Sequence, residues 1–286
     1  MTDSFPRRQA RTRRFTLGAP RGVTVSPDGA RVTFLRSRGG TDPVTCLWTF
    51  DVATGDERVV ADPRTLEGGG DEDVPPEERA RRERAREQAG GIVAYATDRA
   101  GDVAAFALAG RPHVVDLRAD AGPRRLDAPG PVVDPRPDPT GSRVAYVSAG
   151  ALHVHDLTSG TTTAVATPES GTVTYGLADF VAAEEMNRMR GYWWSPDGRS
   201  LLVARVDDAP VRRWHIADPA NPEREPSVVA YPAAGTANAQ VSPAVVGLDG
   251  RRTEVAWDEH DLNRFLGRKG FTPAPRLVLE LPLSRD

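Results

Sequence analysis

Ser195-Pro196-Asp197-Gly198, running into Ser200-Leu201-Leu202-Val203-Ala204-Arg205-Val206, is a tight turn that opens into an apolar, β-branched strand. The phrase recurs along the chain. Ser26-Pro27-Asp28-Gly29 leads into Ala30–Leu35, and Asp138-Pro139-Thr140-Gly141 leads into Arg143–Val147. A weaker copy begins at Arg99-Ala100-Gly101-Asp102 and continues through Val103–Leu108. After each first strand comes a second: Cys46–Val52, His113–Leu117, Ala151–Leu157 and, in the last unit, Val211–Ile216. Several of these end in Asp and a small polar tail, such as Ala53-Thr54-Gly55 or Thr158-Ser159-Gly160.

Short antiparallel strands recurring at roughly 40–50 residues describe the blades of a β-propeller. An all-β sandwich would share the turns but not the repetition of the whole phrase. The expected fold is therefore all-β, a propeller of four-stranded blades with short helical insertions. The largest insertion spans about residues 64–91. Val74-Pro75-Pro76-Glu77-Glu78 has the prolines and acids of a helix start, and Arg79–Gln88 reads as a charged helix closed by Gly90-Gly91. Four glutamates interleave with five arginines there, which suits intrahelical pairing on a solvated surface better than a nucleic-acid arm.

The chain has 286 residues, 39% of them hydrophobic and 27% charged, with a formal net charge of -3. Such a balance gives no electrostatic reason to expect nucleic acid or an anionic membrane as partner. Cys46 is the single cysteine, so no internal disulfide can form. The N-terminus lacks an apolar signal region and no stretch approaches a membrane span, so a cytoplasmic protein without a cofactor is expected. His153 and His155 share a strand face but have no third ligand at a recognisable spacing, so they read as structural, and Cys46 reads as inert core. Tryptophans 48, 193, 194, 214 and 257 fall mostly at blade strands and read as packing.

The stretch Tyr175–Met186 interrupts the strand pattern with a helix-prone segment just before Tyr192-Trp193-Trp194-Ser195-Pro196. Asp179, or the glycine-bounded turn before it, is placed to start the helix, with Glu184 and Glu185 near its end. Adjacent carboxylates at a helix C-terminus repel one another and the helix dipole. They read either as an exposed acidic pair or as a receiver for the donors of an ammonium group.

The segment Asp179-Phe180-Val181-Ala182-Ala183-Glu184-Glu185, followed by Trp193-Trp194-Ser195-Pro196, resembles the double-glutamate motif of the dipeptidyl peptidase IV family. Phe15-Thr16-Leu17-Gly18, the Glu/Arg helix around Arg81–Arg84, and Tyr231–Asn238 also resemble that family's N-terminal half, notably its bacterial members. The resemblance implies that Glu184 and Glu185 bind the free α-amino group of a peptide and so measure off a dipeptide. It also implies an arginine that holds a substrate carbonyl; neither Arg99 nor Arg111 sits in a matching motif. Family members cleave with a triad on a C-terminal α/β-hydrolase domain, and this sequence has no Gly-x-Ser-x-Gly. The expected organisation is an N-terminal extension (1–20) and a partial propeller (21–286) of about five of eight blades. The double-Glu helix falls at about 177–190. The expected partners are a peptide with a free N-terminus and a hydrolase domain or subunit supplied elsewhere, with self-association open, and the chain alone is expected not to hydrolyse peptides. The alternative is a stand-alone propeller that binds or scaffolds without catalysis.

Overall fold

The computed structural model describes residues 4–66, 78, 79, 82, 83, 87 and 89–255. A short helix, α1 (Phe5–Arg11), precedes four antiparallel sheets met in chain order. The first contains β1 (Arg21–Val25), β2 (Arg31–Ser37), β3 (Val44–Asp51) and β4 (Glu57–Ala61), with β5 (Gly90–Gly91) added in parallel beside β3. The second contains β6 (Ala96–Thr97), β7 (Val103–Leu108), β8 (Arg111–Asp116) and β9 (Arg124–Arg125). The third contains β10 (Val133–Pro137), β11 (Arg143–Ser148), β12 (Ala151–Asp156) and β13 (Thr162–Ala166). In the fourth, β14 (Val173–Tyr175) and β15 (Tyr192–Trp194) both pair with β16 (Ser200–Asp207). A hairpin of β17 (Arg213–Ile216) and β18 (Ser227–Ala230) intervenes before β19 (Gln240–Gly247) and β20 (Arg252–Glu254) complete the sheet.

The repeated phrase works through its aspartates. The carboxylate of Asp98 accepts hydrogen bonds from the amides of Asp102 and Val103, and that of Asp138 accepts from Ser142 and Arg143. In the first and fourth sheets Asp28 and Asp197 instead take the hydroxyls of Ser26 and Ser195. Each turn closes on a glycine with φ near +70°, at Gly29, Gly101, Gly141 and Gly198, a conformation that other residues reach only with strain. The second recurring aspartate caps the next reversal: Asp51, Asp116 and Asp156 each accept from the amides two and three residues on. Side-chain hydrogen bonds thus fix the turn that opens each blade, and in the first three blades the next reversal as well.

The apolar cores lie between consecutive sheets. Leu35, Leu47 and Val60 of the first meet Ala104, Phe106 and Val115 of the second. Ala105 and Val114 meet Val144 and Tyr146 of the third, and Val147, Leu152 and Val154 meet Tyr192, Leu201 and Val203 of the fourth. Sheets that pack serially, each sandwiched by its neighbours in chain order, are propeller blades. Four of the expected blades are formed by described residues; residues 256–286, Trp257 among them, lie outside these.

Two expectations need correction. Val211–Ile216 does not supply the blade strand next to β16. That place belongs to β19, in register from Ser200↔Gly247 to Asp207↔Gln240, and β17 pairs only with β18. An apolar alternation specifies a strand but not its partner. Trp214 accordingly lies in the hairpin, exposed, rather than in a blade. The insertion is not simply solvated either. Its described residues Glu78, Arg79, Arg82 and Glu83 are helical, but Glu78 and Arg82 are only 4% and 9% exposed. The expected intrahelical pairing is what permits this: Arg82 Nε donates to Glu78 Oε1 at 2.9 Å, so the two charges are buried as a compensated pair. Arg21 of β1 reaches Glu87 at 2.5 Å, tying the insertion to the first blade.

Candidate functional site

The first strand of the fourth blade is split. Its halves, β14 and β15, lie on the same side of β16, and residues 176–191 leave the sheet between them. Both ends of the excursion are fastened to one residue: Gly176 N donates to Ala204 O at 3.0 Å, and Ala204 N donates to Gly191 O at 2.8 Å. Gly176 takes φ +80°, and a Cβ on Gly191 would lie 2.4–2.5 Å from the backbone of Gly176 and Leu177, so only glycine lets the chain cross itself here.

Within the excursion stands α2 (Phe180–Glu185). Asp179 is its N-cap, as the sequence indicated, with Oδ1 accepting from Ala182 N at 3.0 Å. The other carboxylate oxygen pairs with Arg188 Nη2 at 3.0 Å, and Arg188 Nη1 donates to the carbonyl of Arg190 at 2.9 Å. The reversal is made by Asn187 at φ +53°, after which Arg188 N donates back to Ala182 O at 2.9 Å. One aspartate therefore holds the start of the helix and the segment that leaves it. A six-residue helix is too short to be stable through its own hydrogen bonds, so this clasp supplies its order.

Ala182 and Ala183 form the buried side of α2, and Glu184 and Glu185 occupy its last turn, both exposed. As carboxylates they only accept hydrogen bonds, so the chemistry they suit is that of a group that donates several. A cavity of about 280 Å³ lies at the other end of the same segment. Leu177–Val181, Val206 and Val211 line it together with Val228–Ala230 of the hairpin, and the two glutamates do not.

The strand that follows the helix is anchored in charge. Tyr192, fully buried, donates its hydroxyl to the carbonyls of Ala145, at 2.8 Å, and Asp134. Burial lifts its phenol well above the ordinary range, so it stays a donor. Arg190 donates to the Tyr192 carbonyl at 2.7 Å and lies over the Trp193 ring, 5.4 Å from its centre. Burial and the nearby Arg136 charge bring the Arg190 guanidinium down to about 10. Arg136 is itself held by Asp134 at 2.7 Å, and both line a small cavity with Tyr95 and the buried Glu78. Sequence reading missed this cluster, because its members come from two blades and an insertion and form no linear motif.

The other candidates have local occupations. His153 stacks on Tyr146 with ring centres 5.6 Å apart, and His155 Nδ1 is 2.8 Å from the Thr162 hydroxyl. No group of three or more His, Cys, Asp or Glu is placed to hold a metal among the described residues. Arg99 and Arg111 are in the second blade, away from α2 in sequence, and neither lines either cavity.

Blades stacked in series, with a helix-bearing excursion from the first strand of the last, define a β-propeller with an elaborated fourth blade. The model of the dipeptidyl peptidase IV (DPP IV) N-terminal region matches residues 106–281, and the chain belongs to that family. Human dipeptidyl peptidase 8 is 27% identical over 132 residues, covering 39% of this chain and 15% of the relative. A probable dipeptidyl-aminopeptidase B of Arthroderma gypseum is 29% identical over 99 residues, covering 33% and 11%. The crystal structure of Porphyromonas gingivalis dipeptidyl peptidase 4 matches with a TM-score of 0.56 and 22% identity, over 83% of this chain and 32% of that one; this likeness speaks for the fold. The chain thus corresponds to a minor part of the length of its relatives, and family membership ties it to a dipeptidyl-peptidase-related role.

Proposed function

We propose that Glu184 and Glu185 bind the free α-amino group of a peptide, making this propeller the part of a dipeptidyl aminopeptidase that reads the substrate's N-terminus. The observation that carries the reading is the pair's setting. Two adjacent carboxylates end a helix that Asp179 and Arg188 clasp and that glycines raise out of the blade. A fixed pair of acceptors favours an ammonium ion, and an acylated or internal peptide segment offers no charge to match it. Hydrolysis in this scheme belongs to an α/β-hydrolase domain or subunit with which the propeller works, and the setting is cytoplasmic.

The test is calorimetric titration of the 286-residue chain with an Xaa-Pro dipeptide amide and with its N-acetylated form. The free amine should bind at least tenfold more tightly, and Glu184→Gln with Glu185→Gln should abolish the difference. Equal affinity for both peptides would defeat the proposal and favour a propeller that binds or scaffolds without reading amines.

A further inference from the structure

The hairpin β17–β18 belongs to no blade, yet it holds an aromatic side chain against the helix that carries the glutamates. Phe180, the first residue of α2, meets Tyr231 edge-on with ring centres 5.2 Å apart. Tyr231 in turn leans on Trp214 at 5.0 Å. The two hairpin residues are diagonal neighbours across the ladder: Trp214 pairs with Val229, and Tyr231 N continues the pairing by donating to Arg212 O at 3.0 Å. Asp208 fixes the hairpin's base through two bonds to the Arg213 guanidinium, at 2.7 and 3.0 Å.

The rest of the hairpin contributes little packing. Ile216, Val228 and Val229 are exposed, as are Trp214 and Tyr231 over part of their surface. The row Trp214–Tyr231–Phe180 and the walls of the 280 Å³ cavity connect it to the excursion. The clasp of Asp179 and Arg188 orders the helix internally, and the buried Ala182 and Ala183 seat one side of it. The aromatic contact on the first residue of the helix adds a hold from the hairpin.

We infer that Tyr231, backed by Trp214, is a positioning residue that sets the orientation of α2 and hence where Glu184 and Glu185 present their carboxylates. This inference rests on the amine-binding reading for its functional consequence, but not for its structural content. Tyr231 touches no substrate in this scheme; it acts through Phe180.

The experiment has two arms on the full chain. Hydrogen–deuterium exchange of residues 177–190 is compared among wild type, Tyr231→Ala, Trp214→Ala and Tyr231→Phe. Removing either ring should raise exchange in that segment while β10–β13 stay protected, and the phenylalanine variant, which keeps the ring, should behave as wild type. Unchanged protection in Tyr231→Ala overturns the inference, whatever the binding results. In the second arm, Tyr231→Ala should lose about tenfold of its affinity for the free-amine Xaa-Pro peptide and none for the acetylated one, with Tyr231→Phe restoring it. If the ring deletions loosen α2 but wild type never distinguishes the two peptides, the positioning role stands and the amine reading alone falls. If wild type distinguishes them and Tyr231→Ala does so equally well, Tyr231 does not position the pair.

Discussion

Gly176 and Gly191 are held to the same residue, Ala204, one through its carbonyl and the other through its amide. A strand of the fourth blade is thereby interrupted without a break in the hydrogen-bonding of β16. Gly191→Ala should destabilise the protein by about 2–3 kcal/mol, because the added methyl meets backbone that cannot rotate away. Gly171→Ala, at a glycine with open space around it, is the control. Equal urea midpoints for the two variants would contradict the crossing geometry.

Asp179 caps the helix with one oxygen and pairs with Arg188 through the other. Asparagine can keep the cap but not the ion pair, whereas alanine loses both. Asp179→Ala should therefore cost about 1–2 kcal/mol and Asp179→Asn less than about 1 kcal/mol, measured by chemical denaturation. Equal costs for the two variants would show the pair to outweigh the cap.

Three histidines predict acid sensitivity. Burial lowers His113, His153 and His155 below their ordinary value of 6.5, and nearby arginines lower His113 and His155 further. In the unfolded chain these rings protonate as pH falls through 6.5, while the folded state resists the proton. Their contribution to stability is full above that value and declines below it. The turn carboxylates of Asp28, Asp51, Asp156 and Asp197 are held below 3.8 by hydrogen bonds from the turn residues, chiefly hydroxyls for Asp28 and Asp197 and amides for the other two; their contributions are lost further down, as pH falls through the lowered values. Urea midpoints should drop between pH 7.5 and 5.5, less so for a His113→Phe variant. A flat profile over that range would refute the assignment.

Cys46 is fully buried in β3, and burial, with the Asp62 charge, raises its thiol to about 11. Iodoacetamide at pH 8 should leave native protein unlabelled and modify it only in denaturant. Rapid labelling of the folded chain would place this cysteine elsewhere.

The blades were legible because their turns depend on local chemistry. An aspartate that accepts two amides and a glycine at positive φ act within five residues, so the sequence displays them directly. Asp179 as the start of a helix near Glu184 and Glu185 was legible for the same reason. What the sequence hid depends on distant partners. Val211–Ile216 alternates as a blade strand does, yet pairs only within its hairpin. The charge of Arg82 suggested solvent, yet Glu78 one turn earlier lets both be buried. The grouping of Asp134, Arg136, Arg190 and Tyr192 exists only once two blades are side by side.

β16 serves as a mast for everything the fourth blade adds. The helix-bearing loop springs from rungs midway along it, and the hairpin begins a few residues past its end. Neither appendage takes part in the ladder that joins β16 to β19. The stretch between Gly176 and Gly191 can therefore be exchanged for another as a cassette while the ladder beneath it stays as it is.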